Sequence, residues 1–94
     1  MRKLKSLNLA KNQLTTIKQG TFNDLNDLNT IDLSFNQFTQ IDPKLFEFQF
    51  RLKNLILNGN KFDMLDPNMF KFIKGKPLII NKSKQINQKY FSIN

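Results

Sequence analysis

A chain of 94 residues holds one small domain at most, and a globule of that size buries only about two-thirds of the surface its unfolded chain exposes. The absence of Cys and His excludes disulfides, thiolate metal sites and any catalytic triad built on either residue. Net charge is +8, and it is uneven: residues 71–94 carry Lys71, Lys74, Lys76, Lys82, Lys84 and Lys89 with no acid. Such a basic end attracts nucleic acid, anionic lipid or acidic protein, or is simply a solvated terminus.

Met1-Arg2-Lys3 is basic, but the residues after it alternate polar and apolar, so the chain as written shows no secretory signal. No stretch approaches the ~20 apolar residues that cross a bilayer. From Leu4 onward the chain repeats itself every 24 residues. The first unit, 4–27, places Leu4, Leu7, Leu9, Asn12, Leu14, Ile17 and Phe22. Within it Leu7-Asn8-Leu9 alternates in, out, in, as a short strand with one buried face does.

The second unit, 28–51, repeats the columns as Leu28, Ile31, Leu33, Asn36, Phe38, Ile41 and Phe46. The third, 52–75, repeats them as Leu52, Leu55, Leu57, Asn60, Phe62, Leu65 and Phe70. Pro43 and Pro67 precede the Phe column, where a fixed φ suits a turn better than a helix. Gln49 stands where Leu25 and Ile73 stand in the other units, and Phe48 or Phe50 is expected to supply the missing apolar contact.

After Phe70 the frame slips. Leu78-Ile79-Ile80 reads as a fourth strand arriving one residue early, which puts Ser83 in the Asn place and Gln85 in an apolar one. Residues 76–94 are therefore expected to be a degenerate fourth repeat, an improvised cap or a basic tail. Asn81-Lys82-Ser83 is an N-glycosylation sequon, relevant only if the protein is secreted.

Strands that recur at a fixed interval and run the same way form a parallel sheet, with the intervening residues returning the chain. No unit encloses its own apolar face, so stability comes from stacking neighbours. The Asn column has its own cause. Where the backbone turns inward after each strand, amide and carbonyl groups lose their ladder partners, and an Asn side chain both donates and accepts there. Asn12, Asn36 and Asn60 are expected to form a structural ladder.

The segments LKSLNLAKNQL, LNTIDLSFNQF and LKNLILNGNKF closely resemble the leucine-rich repeat core L-x-x-L-x-L-x-x-N-x-L, over roughly residues 4–75. The 24-residue period and the Phe column resemble the typical subtype, common in Toll-type receptor ectodomains, Slit-like guidance proteins and secreted repeat proteins. The resemblance implies an α/β solenoid: a right-handed coil with short parallel strands on its concave face and irregular or 3-10 return segments on its convex face. It also implies a protein-interaction scaffold of a cell-surface receptor or secreted protein. Extracellular members carry Cys-rich caps, which this chain lacks, so a fragment of a longer chain with neighbouring repeats or caps is expected. A complete cytoplasmic protein is the alternative.

Ligand contact is expected from the side chains flanking the buried strand positions: Lys5, Asn8 and Lys11; Asn29, Thr30, Asp32 and Phe35; Lys53, Asn54, Ile56 and Asn58. Phe35 and Ile56 are the sizeable apolar groups among them, either interface anchors or residues packed across neighbouring strands. The carboxylate pairs Asp24/Asp27 and Asp63/Asp66 fall on return segments, where a solvated turn explains them. Gly20, Gly59 and Gly75 are isolated and form no phosphate loop. No cofactor, metal or enzymatic activity is expected. A protein ligand is favoured over nucleic acid, because the Lys-rich end interleaves aromatics only at Tyr90 and Phe91. The alternative function is binding of nucleic acid or an anionic membrane through that end.

Overall fold

The computed structural model describes residues 3–63, 65–75 and 77–81. Each unit contributes one triplet whose middle side chain points inward: β1 (Ser6–Asn8), β2 (Thr30–Asp32), β3 (Asn54–Ile56) and β4 (Leu78–Ile80). They form a parallel sheet in the order β1-β2-β3-β4. Leu7 lies opposite Ile31, Ile31 opposite Leu55, and Leu55 opposite Ile79. The ladder continues past the strand ends, through Leu9 N to Asp32 O at 2.8 Å, Leu33 N to Ile56 O at 2.9 Å and Leu57 N to Ile80 O at 2.7 Å.

That register corrects the expected slip after Phe70. Ile79, not Leu78, occupies the inward column, 24 residues after Leu55. Leu78 is paired with Asn54 on the outer side and is 47% exposed. Asn81 takes the place of Leu9, Leu33 and Leu57 and is buried. The physical reason is the period-2 alternation of a strand: a one-residue slip would turn Ile79 outward and strip the pairing from β3. Ser83 and Gln85 lie outside the described residues.

The core is the inside of this stack. Leu28, Ile31, Leu33, Phe38, Ile41 and Phe46 of the second unit are buried, as are Leu52, Leu55, Leu57, Phe62 and Leu65 of the third. Phe22 and Phe46 stack with ring centroids 6.0 Å apart, so the first two members of the Phe column are in aromatic contact on the return side. In the first unit Leu4, Leu7, Leu9, Leu14 and Ile17 are only half-buried, since no described residue packs on their far side. Burial here comes from the neighbouring coil rather than from a unit's own residues.

The return segments are mostly turns, with one 3-10 turn at Pro67–Phe70. Asp66 caps it by accepting from Asn68 N, and Asp42 accepts from Lys44 N in the equivalent turn of the second unit, each at 2.9 Å. Gln49 overturns another expectation. It is itself fully buried, and its Nε2 donates to Phe22 O at 2.6 Å and Leu25 O at 3.2 Å. Phe48 and Phe50 instead pack edge-on against each other at the surface. Both carbonyls already accept turn bonds, from Leu25 N and Leu28 N, so the Gln49 amide adds a second donor to each and ties this return segment to the one before it.

Candidate protein-binding face

The outer side of the sheet is assembled from the residues that alternate with the buried column. Its rows run across the stack as Ser6, Thr30, Asn54 and Leu78, then Asn8, Asp32, Ile56 and Ile80. Lys5, Asn29 and Lys53 form the margin ahead of the strands. Neighbouring members of a row sit about 4.8 Å apart along the stack, close enough for one ligand to touch several units. Lys5, Asn8, Lys11, Phe35 and Lys53 are exposed, while Asn29, Thr30, Asp32, Asn54, Ile56 and Asn58 are half-buried.

The middle of the face is a hydrogen-bonded polar patch. Thr30 Oγ1 donates to Asn29 Oδ1 at 3.2 Å and accepts from Asn54 Nδ2 at 3.5 Å. Two of the expected contact residues have structural work as well. Asn8 Oδ1 accepts from Ala10 N, and Asp32 Oδ1 accepts from both Ser34 N and Ser34 Oγ. These side chains close the turn after β1 and β2. Three residues beyond each, Lys11 and Phe35 adopt φ of 61° and 56°, the left-handed region that L residues enter at a cost. In the third unit Ile56 has no oxygen to close that turn, and the left-handed position is Gly59 at φ 75°.

Phe35 combines both roles weighed for it. Its ring lies directly against Gly59 of the next unit, where any Cβ would overlap it, yet 55% of the residue remains exposed. Ile56 is joined on the face by Leu78 and Ile80, its neighbours on β4. The sequence puts the fourth strand at these same residues but in the phase that aligns Leu78 with the inward Leu55; counting 24 onward from Asn54 and Ile56 corrects it.

The Asn ladder is present in the second and third units. Asn36 Nδ2 donates to Leu9 O, Leu33 O and Ser34 O, and its Oδ1 accepts from Leu14 N. Asn60 Nδ2 donates to Leu33 O and Leu57 O, and its Oδ1 accepts from Phe38 N. Each Asn thus ties its own turn to the coil before it. Asn12 departs from the expectation: it is exposed, and its Nδ2 reaches only Leu9 O and Ala10 O of its own unit. Asn81, the sequon acceptor, is buried at 4% exposure.

A family profile described as leucine rich repeat matches residues 2–62. The chain belongs to the leucine-rich repeat family. Searches of curated proteins and of solved structures find no match. Leucine-rich repeats generally serve as non-enzymatic scaffolds for protein–protein interaction, and the parallel sheet with its returning segments is that family's repeat architecture. Among the described residues no helix is long and apolar enough to cross a membrane, and no group of three or more acidic residues is placed to hold a metal ion. This leucine-rich repeat chain also has a hollow of about 680 Å³ on its return side, between the first two units, floored by Ile17, Phe38, Ile41 and Leu45. It is a gap between two return segments, remote from the sheet's outer face.

Proposed function

We propose that the outer face of the parallel sheet is a protein-recognition surface, belonging to a larger cell-surface or secreted protein. The observation that carries this reading is the alignment of the units. The strand register brings Lys5, Asn29 and Lys53 into one row, and Asn8, Asp32 and Ile56 into another, over a core whose central columns are fully buried. A rigid backing lets side chains meet a partner without much ordering cost. Thr30 and Asn54 give the face directional hydrogen-bonding groups. Phe35, Ile56, Leu78 and Ile80 give it apolar anchors beside Lys11 and Asn58. Apolar groups ringed by polar ones are the usual arrangement of an interface centre.

The 24-residue period and the Phe22/Phe46/Phe70 column support the typical subtype, and through it an extracellular setting. The half-buried Leu4, Leu7, Leu9 and Leu14 support a further coil or cap on the first unit, supplied by a longer parent chain. Staining of intact, unpermeabilised cells with an antibody to the chain tests the setting; signal only after permeabilisation would refute it.

Site-specific photo-cross-linking tests the surface. A photoreactive amino acid in place of Ile56 should yield protein adducts that excess unmodified chain competes away, whereas the same group in place of Gln19, on the return side, should not. Equal, competable adducts from both positions would refute a dedicated outer face.

A further inference from the structure

The acidic charges of the described residues are sorted by side. Of the seven acidic residues, Asp24, Asp42, Glu47, Asp63 and Asp66 lie on return segments. The strands and the turns flanking them hold Lys3, Lys5, Lys11, Arg51 and Lys53 against Asp32 and against Asp27, which ends its return segment beside Arg51. Lys18, Lys44, Lys71 and Lys74 share the return segments with the other five acids. Asp27 and Asp32 are both engaged. Asp27 Oδ1 faces Arg51 Nε at 3.6 Å, and Asp32 Oδ1 is held by Ser34. Lys5 and Lys53 are exposed with no carboxylate partner among the described residues. They stand in one row, two strand spacings or about 10 Å apart, with Asn29 between them. The opposite end of the same face is apolar: Ile80 lies across from Ile56, and Leu78 across from Asn54.

From this juxtaposition we infer that the face binds an acidic protein segment, with carboxylates on the Lys5–Lys53 margin and aliphatic side chains on Ile56, Leu78 and Ile80. The inference rests on the proposed recognition role of this face and specifies its partner. Charge complementarity selects the sign. Two unpaired ammonium groups in a row hold a carboxylate pair at matching spacing and speed its approach. The far half of the face selects protein over nucleic acid. Phosphate backbones want cations along their whole track, and bases want open aromatic faces. Here Asp32 sits mid-face, and Phe35, one side of whose ring rests on Gly59, is a single ring where base stacking along a strand uses several.

The test is an NMR titration of the full chain with a capped peptide of alternating Glu, Leu, Asp and Ile. Its Gln/Asn counterpart and a twelve-base oligothymidine serve as comparisons. The acidic peptide should shift the amides of Lys5, Thr30, Lys53, Asn54 and Ile56, and the neutral one should bind more weakly. Lys5→Glu with Lys53→Glu should weaken the acidic peptide about tenfold, the scale of losing and reversing two exposed charge contacts. The same reversal at Lys44 and Lys71, which flank the Phe72 ring on the return side, should leave affinity within about twofold. Ile56→Ser should weaken both peptides. Outer-face shifts that survive Lys5/Lys53 reversal undiminished would overturn the acidic partner while leaving the face a recognition surface. Shifts confined to return segments, or none at millimolar peptide, would overturn both. Tighter binding of the oligothymidine at the same amides would replace the protein partner with a nucleic acid.

Discussion

The Asn column shows how one residue type at one offset takes unequal energetic weight. Asn36 is buried and serves Leu14 N–H together with carbonyls of two coils, whereas Asn12 is exposed and serves only its own turn. Removing Asn36 strands a buried donor and acceptors at about 1–3 kcal/mol for each group left unsatisfied. Asn36→Ala should therefore destabilise by about 3 kcal/mol and Asn12→Ala by less than about 1 kcal/mol, read as midpoint shifts in urea denaturation. An equal loss at both would show that the inter-coil bonds contribute nothing. Gln49 offers a sharper version, because Gln49→Glu keeps the shape and replaces a donor with acceptors. Facing Phe22 O and Leu25 O, the substituted side chain should cost about 3 kcal/mol, by the same measurement. The repeating columns do not show Gln49's role, since only the folded chain reveals which carbonyls of the preceding unit lie within its reach.

Among the turns that follow the strands, left-handed backbone recurs at Lys11, Phe35 and Gly59, 24 residues apart. Nothing in the residue types announces a shared conformation, because an Asx side chain supports two members and glycine the third. Gly59 is doubly constrained. Gly59→Ala must bear a positive φ and displace the Phe35 ring, whereas Gly75→Ala bears only the positive φ, with nothing within 4 Å of its added Cβ. The first should destabilise by about 2–3 kcal/mol and the second by about 1 kcal/mol. Adding Phe35→Ala to Gly59→Ala should recover the difference, and a double-mutant cycle with zero coupling would refute the ring contact. At the strands themselves, Leu55→Ala opens a cavity beneath a fully buried column and should cost about 3 kcal/mol, while Leu7→Ala, half-buried, should cost about 1 kcal/mol. Hydrogen exchange should follow the same gradient, with β2 and β3 amides protected more than those of β1.

For the whole molecule, size limits affinity. Three steps between four strands span about 15 Å along the stack, and a standard interface takes about 800 Å² from each partner. The chain by itself should therefore bind a protein partner more weakly than nanomolar, by titration calorimetry. Nanomolar binding by residues 1–94 would show that the outer face alone suffices. The columns of Leu, Ile and Phe made the stack readable in advance, because burying one face of every coil demands strict spacing; the paired triplets themselves, Ser6–Asn8, Thr30–Asp32 and Asn54–Ile56, start one residue ahead of Leu7-Asn8-Leu9 and its equivalents. The phase of the last strand was misread by weighing Leu78 as core, where the hydrogen-bonded register with β3 makes it surface.

Period and pattern alone determined that the chain repeats every 24 residues, that its strands are parallel, and which repeated columns line the interior: each is a consequence of repetition and one-sided burial. Contact between coils decided the rest. Only packing shows that Asn12 stands outside the ladder, that Gln49 is a buried donor, that Phe35 leans on Gly59, and that Leu78 and Ile80 extend the outer face. Those features depend on what lies one coil away, some 24 residues distant in the chain but about 5 Å distant in space, a proximity that no local run of residues encodes.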